Sequence, residues 1–491
     1  MILDHQLRAL ATSGLIQLVA TQPDPEYLFR HALIQDAAYN SLLRQDRRHI
    51  HRRVAETVER LNPQRLDQLA AILAYHFGLA DDHNQAFAYF RRAGDRARAI
   101  FANAEAVTFY RAAIAQASHL PHLDTSLAQL HEQLGDVLDL TGKLEEARAA
   151  YHDALSHAPE SNGVVRARLH RKIGSVCALQ FRYQDAADAL DQAEYSLGSA
   201  PTEPVVVWWQ EWIQIQLDRM RSLYWQGQWQ AVAHLVEKTE PILEQYGTPA
   251  LRFHFYDGRI SVAERRDRYV ISDEVLTLAR AMLAAAQESG DQRLIAMGHF
   301  QLGFCLLWHD DFDEAETELR VGEDMMRRIG DAIWLTHALT YIGILYRRRG
   351  QIDAARPYFS QTFAAAKANQ MAVSIARAEA NLAWLALREA KMDEAYQQGL
   401  AALESWSHSS FADPFRWTGY LPLLVVALHK DEMDEAVRYA RAMLEPTQYR
   451  LPDPIDVPLT KAVQVFEHRQ LDSVRSYLQE AIASAEQLCY L

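Results

Sequence analysis

The sequence has few of the residues that interrupt helices. Only 20 glycines and 16 prolines occur among 491 residues, so few tight turns can form. This scarcity favours long helices over many short strands. Hydrophobic residues make up 49% of the chain and charged residues 23%, a balance typical of globular proteins with enough apolar surface to bury. Global disorder is therefore excluded.

Cysteine and metal-binding patterns are also scarce. Cys177, Cys305 and Cys489 lie in apolar, helix-like surroundings without Cys-x-x-Cys spacing, so we expect reduced core thiols rather than disulfides. The 20 histidines include no His-Glu-x-x-His pattern, and no metal site is predicted. Reduced thiols fit a cytoplasmic location.

The sequence also lacks a net positive charge and long apolar runs. The chain carries 50 basic and 64 acidic side chains, a formal net charge of −14, which argues against general binding to nucleic acid or to an anionic membrane. The longest apolar stretch, near residues 423–428, is far too short to span a bilayer. Asp4, His5 and Arg8 interrupt any signal-like run at the N-terminus. We therefore expect a soluble, cytoplasmic protein with no membrane partner.

The sequence contains no motif for catalysis. Gly142-Lys143 is followed by Leu144 and lacks the earlier glycine of a phosphate-binding loop, so no backbone nest for phosphates is encoded. This absence argues against autonomous ATPase activity. No Gly-x-Ser-x-Gly elbow occurs, and Cys177 and Cys305 are predicted on core faces. The sequence thus predicts a protein that is not an enzyme and needs no cofactor.

An internal repeat dominates what the sequence does contain. Residues 130–159 read LHEQLGDVLDLTGKLEEARAAYHDALSHAP. Gly135 and Ala147 are small enough to let two antiparallel helices approach closely, and Tyr151 fills the space between them. Gly142 opens the turn between the helices. The unit therefore predicts a pair of helices joined by a tight turn.

The same pattern recurs along the chain. Further copies contain Gly174, Gly303, Gly343 and Ala383 at the position of Gly135, and these positions lie 39 residues apart (135 to 174) or 40 residues apart (303 to 343 and 343 to 383). The units resemble the tetratricopeptide repeat (TPR), whose standard length is about 34 residues. The resemblance implies an all-α, right-handed TPR-like α-α superhelix (solenoid) of about nine or ten helix pairs. Between positions 174 and 303 the pattern is blurred, and residues 249–290 are predicted to form a divergent helix pair.

The N-terminal region differs from the repeats. Two short extended runs, at residues 15–19 and 27–31, are separated by a Pro-Asp-Pro turn and followed by helices over 32–44 and 47–61. A hairpin flanked by helices is compatible with a small winged-helix-like remnant. The predicted organisation is a winged-helix-like remnant or cap at 1–60, helical linker repeats at 61–120, TPR-like repeats at 121–445, and a Pro-rich connection (residues 446–458) with a terminal helix pair at 446–491.

A more specific resemblance starts in this region. Residues 26–59 read EYLFRHALIQDAAYNSLLRQDRRHIHRRVAETVE and are similar to the segment that follows the ATPase core in signal-transduction ATPases of the STAND class. Bacterial cyclase–ATPase–TPR proteins are especially similar, and the maltose-regulator type has a related architecture. The resemblance covers residues 1–120 and implies a regulatory C-terminal part of such an ATPase. Met1 is then either the start of a shortened relative or a position inside a larger chain.

The resemblance also implies where a partner binds. In TPR arrays the first helix of each pair lines the concave groove, and Trp and Arg are the residue types that anchor interfaces. Arginine also suits a carboxylate-bearing ligand. We therefore expect a protein or peptide partner, or a small-molecule effector, in this groove. The alternative for Trp308 and Trp384 is packing between neighbouring helices. The candidate groove residues are Tyr224, Trp225, Gln301, Trp308, Arg347, Arg348, Asn381, Trp384 and Arg388.

A basic run near the N-terminus suggests an alternative function. Its arginines either contact DNA or an anionic nucleotide-bearing domain, or form a solvated helix face. The first alternative describes an effector-sensing transcriptional regulator that touches DNA through its N-terminal segment. The acidity of the rest of the chain argues against this function and against a nucleic-acid partner. The run consists of Arg44, Arg47, Arg48, Arg52 and Arg53.

Overall fold

The described part of the chain consists of 24 helices and one two-stranded sheet. The prediction of an all-α helical repeat with a small N-terminal hairpin is confirmed. The chain divides into two compact units, unit 1 at Met1–Leu123 and unit 2 at Asp124–Leu491. The computed structural model describes residues 2–21, 25–408, 411 and 413–491, with only the backbone of residue 2.

Unit 1 contains the predicted hairpin, which lies between helices α1 and α2. Strands β1 and β2 pair antiparallel, with Ile16 opposite Phe29. Residues 23 and 24 of the predicted Pro-Asp-Pro turn lie outside the described residues. The helix before the hairpin was not predicted. The elements are α1 Ile2–Thr12, β1 Ile16–Ala20, β2 Glu26–Phe29, α2 Ala32–Ser41, α3 Arg44–Leu61, α4 Leu66–Leu79, α5 His83–Ala99 and α6 Asn103–Ala117.

The core of unit 1 lies in its later helices. Ala55 of α3 packs with Leu73 and Phe77 of α4 and with Tyr89 of α5, and all four side chains are buried. Helix α2, in contrast, has no buried residue. The helices from α3 onward therefore supply the stability of this unit.

The described residues of unit 2 form eighteen helices, α7 to α24, which follow one another as nine pairs. The divergent pair predicted at 249–290 is present as α13 and α14. The pairs are α7 Asp124–Leu140 and α8 Leu144–His157, α9 Gly163–Leu179 and α10 Tyr183–Leu197, α11 Val206–Trp225 and α12 Trp229–Tyr246, α13 Pro249–Arg266 and α14 Asp273–Ser289, α15 Gln292–Trp308 and α16 Phe312–Ile329, α17 Ala332–Arg348 and α18 Ile352–Ala368, α19 Ala372–Arg388 and α20 Met392–Ser407, α21 Trp417–His429 and α22 Met433–Met443, and α23 Asp453–Glu467 and α24 Leu471–Gln487.

In the pairs α7–α8 and α17–α18, the close approach of the two helices depends on a glycine beneath an aromatic ring. A Cβ atom on Gly135 would lie 2.5 Å from Cε1 of Tyr151, and one on Gly343 would lie 2.5 Å from Cε1 of Phe359. Both distances are far shorter than carbon atoms tolerate, so the rings occupy the space that a side chain would need. The packing role predicted for Gly135 and Tyr151 is thus present in the structure.

The last helix pair begins within the Pro-rich segment that was predicted to be an irregular connection. Helix α23 begins at Asp453, so the predicted irregular connection at 446–458 extends too far. Pro454 lies in the first turn of α23, where a missing backbone N–H removes no helical hydrogen bond. The irregular stretch is therefore confined to residues 444–452.

Unit 2 curls back on itself. Nη1 of Arg293, at the start of α15, lies 3.9 Å from Oδ2 of Asp139, near the end of α7. A Cβ atom on Gly142, in the turn after α7, would lie 3.5 Å from Ala332 of α17 and from Asn369. Helices that are far apart in sequence therefore meet, and the face between them is enclosed.

We predict that Gly343→Ala destabilises the protein by about 1–3 kcal/mol, because its methyl group would overlap the buried ring of Phe359. The measurement is the shift of the thermal unfolding midpoint. Gly78→Ala is the control, since the nearest atom to its Cβ would be 3.8 Å away, on Phe90. A Gly343→Ala protein as stable as the control would contradict this packing.

Candidate functional site

The candidate site is the surface formed by the first helices of successive pairs, here called the inner face. Helices α9, α11, α13, α15, α17 and α19 contact one another in this order. They bring together charged and aromatic side chains that are widely spaced in sequence. Two regions of this face differ in charge, one on α13 and one at the end of α17.

Most cations of the inner face have carboxylate partners. Arg171 donates from Nε to Glu211 at 2.7 Å and from Nη1 to Asp218 at 2.8 Å. Asp218 also pairs with Arg221. These contacts join α9 to α11 and neutralise the arginines where water is scarce. Similar pairs are Arg168–Glu132 (2.7 Å), Lys172–Asp136 (2.6 Å), Arg293–Asp331 (2.7 Å) and Arg377–Asp413 (2.6 Å).

Two carboxylates of α13 lack such a partner. Asp257 and Glu264 are seven residues apart and therefore lie on one side of the helix. Glu264 is 4% exposed and accepts hydrogen bonds from neutral groups, Nε2 of Gln301 at 2.9 Å and the hydroxyl of Tyr224 at 3.3 Å. Within the described part of the chain, no basic side chain lies at ion-pair distance from either carboxylate. Arg265 instead stacks on the ring of Tyr224, 4.8 Å from its centroid.

Burial changes the ionisation of these groups. It raises the pKa of Glu264 to about 8, with a further contribution from Asp257, and it raises the pKa of Asp257 to about 6. Burial, together with nearby Arg221, lowers the pKa of His254 to about 3, so this ring is neutral at pH 7. The α13 region therefore holds acidic groups that a ligand cation would stabilise in the charged form. We call Asp257 and Glu264 the acidic pair.

The second region surrounds two consecutive arginines at the end of α17. Arg347 is fully buried, and its guanidinium lies between the rings of Trp384 and Trp417, 5.1 and 5.0 Å from their centroids. It donates to the carbonyl oxygen of Tyr490 at 2.7 Å and to Oδ1 of Asn381 at 2.9 Å. We call this region the arginine centre.

Arg348 completes the arginine centre. It donates from Nη2 to Asp310 at 2.9 Å. Its guanidinium lies 4.1 Å from the ring centroid of Tyr490 and 5.8 Å from that of Trp308. The chain's own residue Tyr490 thus contacts both arginines.

An inserted segment, residues 413–416, also enters the inner face. Phe415 stacks on Trp308 with 4.9 Å between the centroids. Asp413 is fully buried, and it accepts from Nε of Arg377 at 2.6 Å and from the indole of Trp406 at 3.2 Å. The ion pair with Arg377 attaches the segment to α19.

The structure brings most of the predicted groove residues together. Arg347, Arg348, Trp308, Trp384 and Asn381 form or border the arginine centre. Their role in binding a partner stays a prediction, because each also packs against the protein's own side chains.

The other predicted residues are more dispersed. Tyr224 and Gln301 meet at Glu264, and Trp225 packs on Phe411 with 5.0 Å between the centroids. Arg388 is exposed at the end of α19 and lies apart from the others.

Sequence reasoning missed the acidic pair and the residues that fill the arginine centre. The ends of α13, α15, α17 and α19, at residues 266, 308, 348 and 388, are 42, 40 and 40 residues apart. The longer first interval concealed the register of α13 and with it the acidic pair. No local sequence pattern indicated a role for Asp413 or Tyr490, because the residues that they contact are far away in the sequence.

Two arginines of the basic run on α3 have carboxylates near them. Arg48 pairs with Asp81, and Arg52 lies 3.7 Å from Asp82. Arg47 lies over the ring of Tyr39, 5.1 Å from its centroid. These contacts reduce the positive charge that this part of α3 presents.

Within the described ranges, no group of three or more His, Cys, Asp or Glu side chains is arranged to hold a metal ion. Among the described helices, none is both long enough and apolar enough to cross a membrane.

We predict that Glu264→Gln flattens the pH dependence of stability. The folded pKa of Glu264, about 8, is above the usual value of 4.5. Its stabilising contribution is therefore fully present below pH 4.5 and is lost as the pH rises through 8. Unfolding measured at pH 5, 7 and 9 should show a steeper loss of stability for wild type. Glu237→Gln, at an exposed site on α12, should keep the wild-type slope, and an equal slope in Glu264→Gln would refute the prediction.

We predict that Asp413→Ala destabilises the protein by about 3–5 kcal/mol, because it leaves the buried charge of Arg377 without a partner. The double variant Arg377→Met/Asp413→Ala should lose less stability than this single variant. Thermal unfolding of the two single variants and the double variant measures the coupling. Strictly additive losses would show that the pair does not act as a unit.

No protein-family model and no curated protein matches the chain. Solved structures are similar to it in fold. A Rap protein complexed with Competence and Sporulation Factor is 12% identical, with 82% of this chain and 98% of that chain covered and a TM-score of 0.46. NprR in complex with its cognate peptide NprX is 12% identical, with 64% and 87% covered and a TM-score of 0.47.

A third similar structure is a STAND protein with a tetratricopeptide repeat sensor from Pyrococcus horikoshii. It is 13% identical, the comparison covers 96% of this chain and 60% of that chain, and the TM-score is 0.45. The chain thus spans less than two thirds of the STAND protein's length. At these identities the similarity concerns the fold, which is a tandem array of helix pairs.

Proposed function

We propose that the chain is a non-catalytic sensor and interaction module that binds a protein or peptide partner on the inner face of unit 2. The observation that carries this proposal is the acidic pair. Asp257 and Glu264 lack cationic partners within the described residues, on a face where neighbouring arginines and lysines are paired. Burial holds Glu264 largely protonated at pH 7, and a cation placed beside the pair would favour the charged forms of both carboxyl groups, so these two residues indicate where a cationic ligand would bind.

The chemistry of the acidic pair defines the ligand. A lysine or arginine side chain of a peptide would donate to the carboxylates and favour their charged forms. Gln301 and Tyr224 already orient Glu264 through hydrogen bonds of 2.9 and 3.3 Å. The site is therefore organised before the ligand arrives, which reduces the entropy lost on binding.

Binding would be sensed through the repeat packing. The acidic pair lies on α13, which contacts the first helices of both neighbouring pairs, α11 and α15. A ligand that favours one arrangement of these helices shifts the population towards it. Because each pair contacts its neighbours, the change spreads along the array.

The finer proposal concerns the larger protein. The resemblance of residues 26–59 to the segment after the ATPase core supports assignment of this chain as the regulatory C-terminal part of a STAND-type signalling ATPase, or as a shortened relative. In this proposal the ATPase part carries out the catalysis, and this chain recognises the protein or peptide partner.

The test is an array of 12-residue peptides of three classes, lysine- and arginine-rich, acidic, and neutral. We expect the wild-type chain to retain basic peptides preferentially, and Asp257→Asn/Glu264→Gln to weaken that retention about tenfold or more, because charge-assisted hydrogen bonds are lost. Glu237→Gln is the matched control. Equal retention of all three classes, or equal retention by the double variant, would contradict the proposal.

A further inference from the structure

The arginine centre contains buried donors without acceptors. Arg348 is 8% exposed, and its Nε and Nη1 atoms have no hydrogen-bond partner within the described residues. The indole nitrogens of Trp308, Trp384 and Trp417 are buried and unpartnered as well. Each buried donor without a partner is unfavourable, because it has lost its hydrogen bonds to water. All five groups are donors, so the missing partner is an acceptor.

The positive charge of the centre is also poorly compensated. Arg347 has only neutral acceptors, among them the carbonyl oxygens of Tyr490 and Thr418. Arg348 has a single carboxylate partner, Asp310, whose side chain is 66% exposed. Burial, with a contribution from Arg348, lowers the pKa of Arg347. Both the charge and the free donors thus require an anionic acceptor.

A segment of the chain itself now occupies the centre. Helix α24 ends at Gln487, and the short segment 488–491 carries Tyr490 onto the arginines. The ring of Tyr490 stacks on Arg348, and its hydroxyl lies 2.9 Å from the hydroxyl of Tyr449. The backbone carbonyl of Tyr490 satisfies Arg347 but carries no charge. The segment therefore fills the centre sterically and leaves its electrostatic requirement unmet.

We propose that the arginine centre binds a peptide segment that carries an aromatic side chain close to a carboxylate, and that residues 489–491 are an internal competitor for this site. The aromatic ring would stack on Arg348 as Tyr490 does. The carboxylate would accept from the free Nε and Nη1 atoms. This inference rests on the proposed function, because both place a peptide on the inner face, but it concerns a different region and the opposite charge.

Displacement of the competitor requires little rearrangement. Residues 488–491 lie outside α24, which ends at Gln487, so they can leave while the helix stays in place. A partner with a carboxylate gains charge-assisted hydrogen bonds that the neutral carbonyl of Tyr490 cannot make. Partner binding is thereby coupled to release of the segment.

The test uses fluorescence anisotropy with the full chain. The probe is a fluorescein-labelled peptide of residues 481–491 with serine in place of the cysteine, the substitution Leu491→Asp and an amidated terminus, so that it carries a side-chain carboxylate next to Tyr490 that the internal segment lacks. We expect Tyr490→Ala to bind the probe about tenfold more tightly than wild type, because the internal competitor is weakened. Adding Arg348→Gln should reverse this gain, and the same probe with Leu491→Asn instead of Leu491→Asp should bind about tenfold more weakly.

The matched control is Arg349→Gln in the Tyr490→Ala background. Arg349 pairs with Glu316 at 2.6 Å, and also with Asp313, so it should not affect the probe. Equal affinity of Tyr490→Ala with and without Arg348→Gln would overturn the site, and equal affinity of wild type and Tyr490→Ala would overturn the competition. If the Arg348→Gln protein does not fold, Arg348→Lys replaces it, since lysine keeps the charge but loses the fork of donors.

The outcome is separable from that of the peptide array. Asp257→Asn/Glu264→Gln in the Tyr490→Ala background should leave the affinity for this probe unchanged, because the acidic pair lies on α13 and the arginine centre at the end of α17. If the probe does not bind as expected but the peptide array shows preferential retention of basic peptides, only the inference about the arginine centre is refuted.

Discussion

The packing of an aromatic ring on a glycine, as in Tyr151 on Gly135 and Phe359 on Gly343, sets the distance between the two helices of a pair. The rest of unit 2 depends on this distance. Successive pairs then stack on one another, and the array curls until α7 and the turn after it meet α15 and α17. The enclosed inner face, with its restricted access to water, is a consequence of this local steric fit.

Restricted water access makes the pairing of charges decisive on this face. Arg171 and Arg377 are stabilised by adjacent carboxylates, whereas the acidic pair and the arginine centre are not fully neutralised within the described residues. These two regions have opposite charge requirements. A peptide that carries both a basic residue and an acidic, aromatic segment would satisfy both charge requirements. Neither region alone would distinguish such a peptide from one that carries only one of these two features.

The fold and part of the site could be predicted because they follow a period. The recurrence of small residues at 135, 174, 303, 343 and 383 predicts the helix pairs, and the same register placed Trp308, Arg347 and Trp384 on the inner face. The contacts of Asp413 with Arg377 and of Tyr490 with Arg347 join segments that are far apart in sequence and obey no period. Asp257 and Glu264 were missed because the interval to the next pair is longer there, which shifts the register.

The contact between Asp139 and Arg293 changes how the array would respond to force. An open array of helix pairs behaves as a soft spring, because small rotations at every interface add up to a large extension. A contact between successive turns shortens the effective length of that spring and makes it stiffer. The nearest nitrogen and oxygen atoms of the two groups are 3.9 Å apart, so the pair is a long one and lacks a hydrogen bond. Unit 2 would therefore resist small loads as a stiff body and extend as a compliant one once this contact opens.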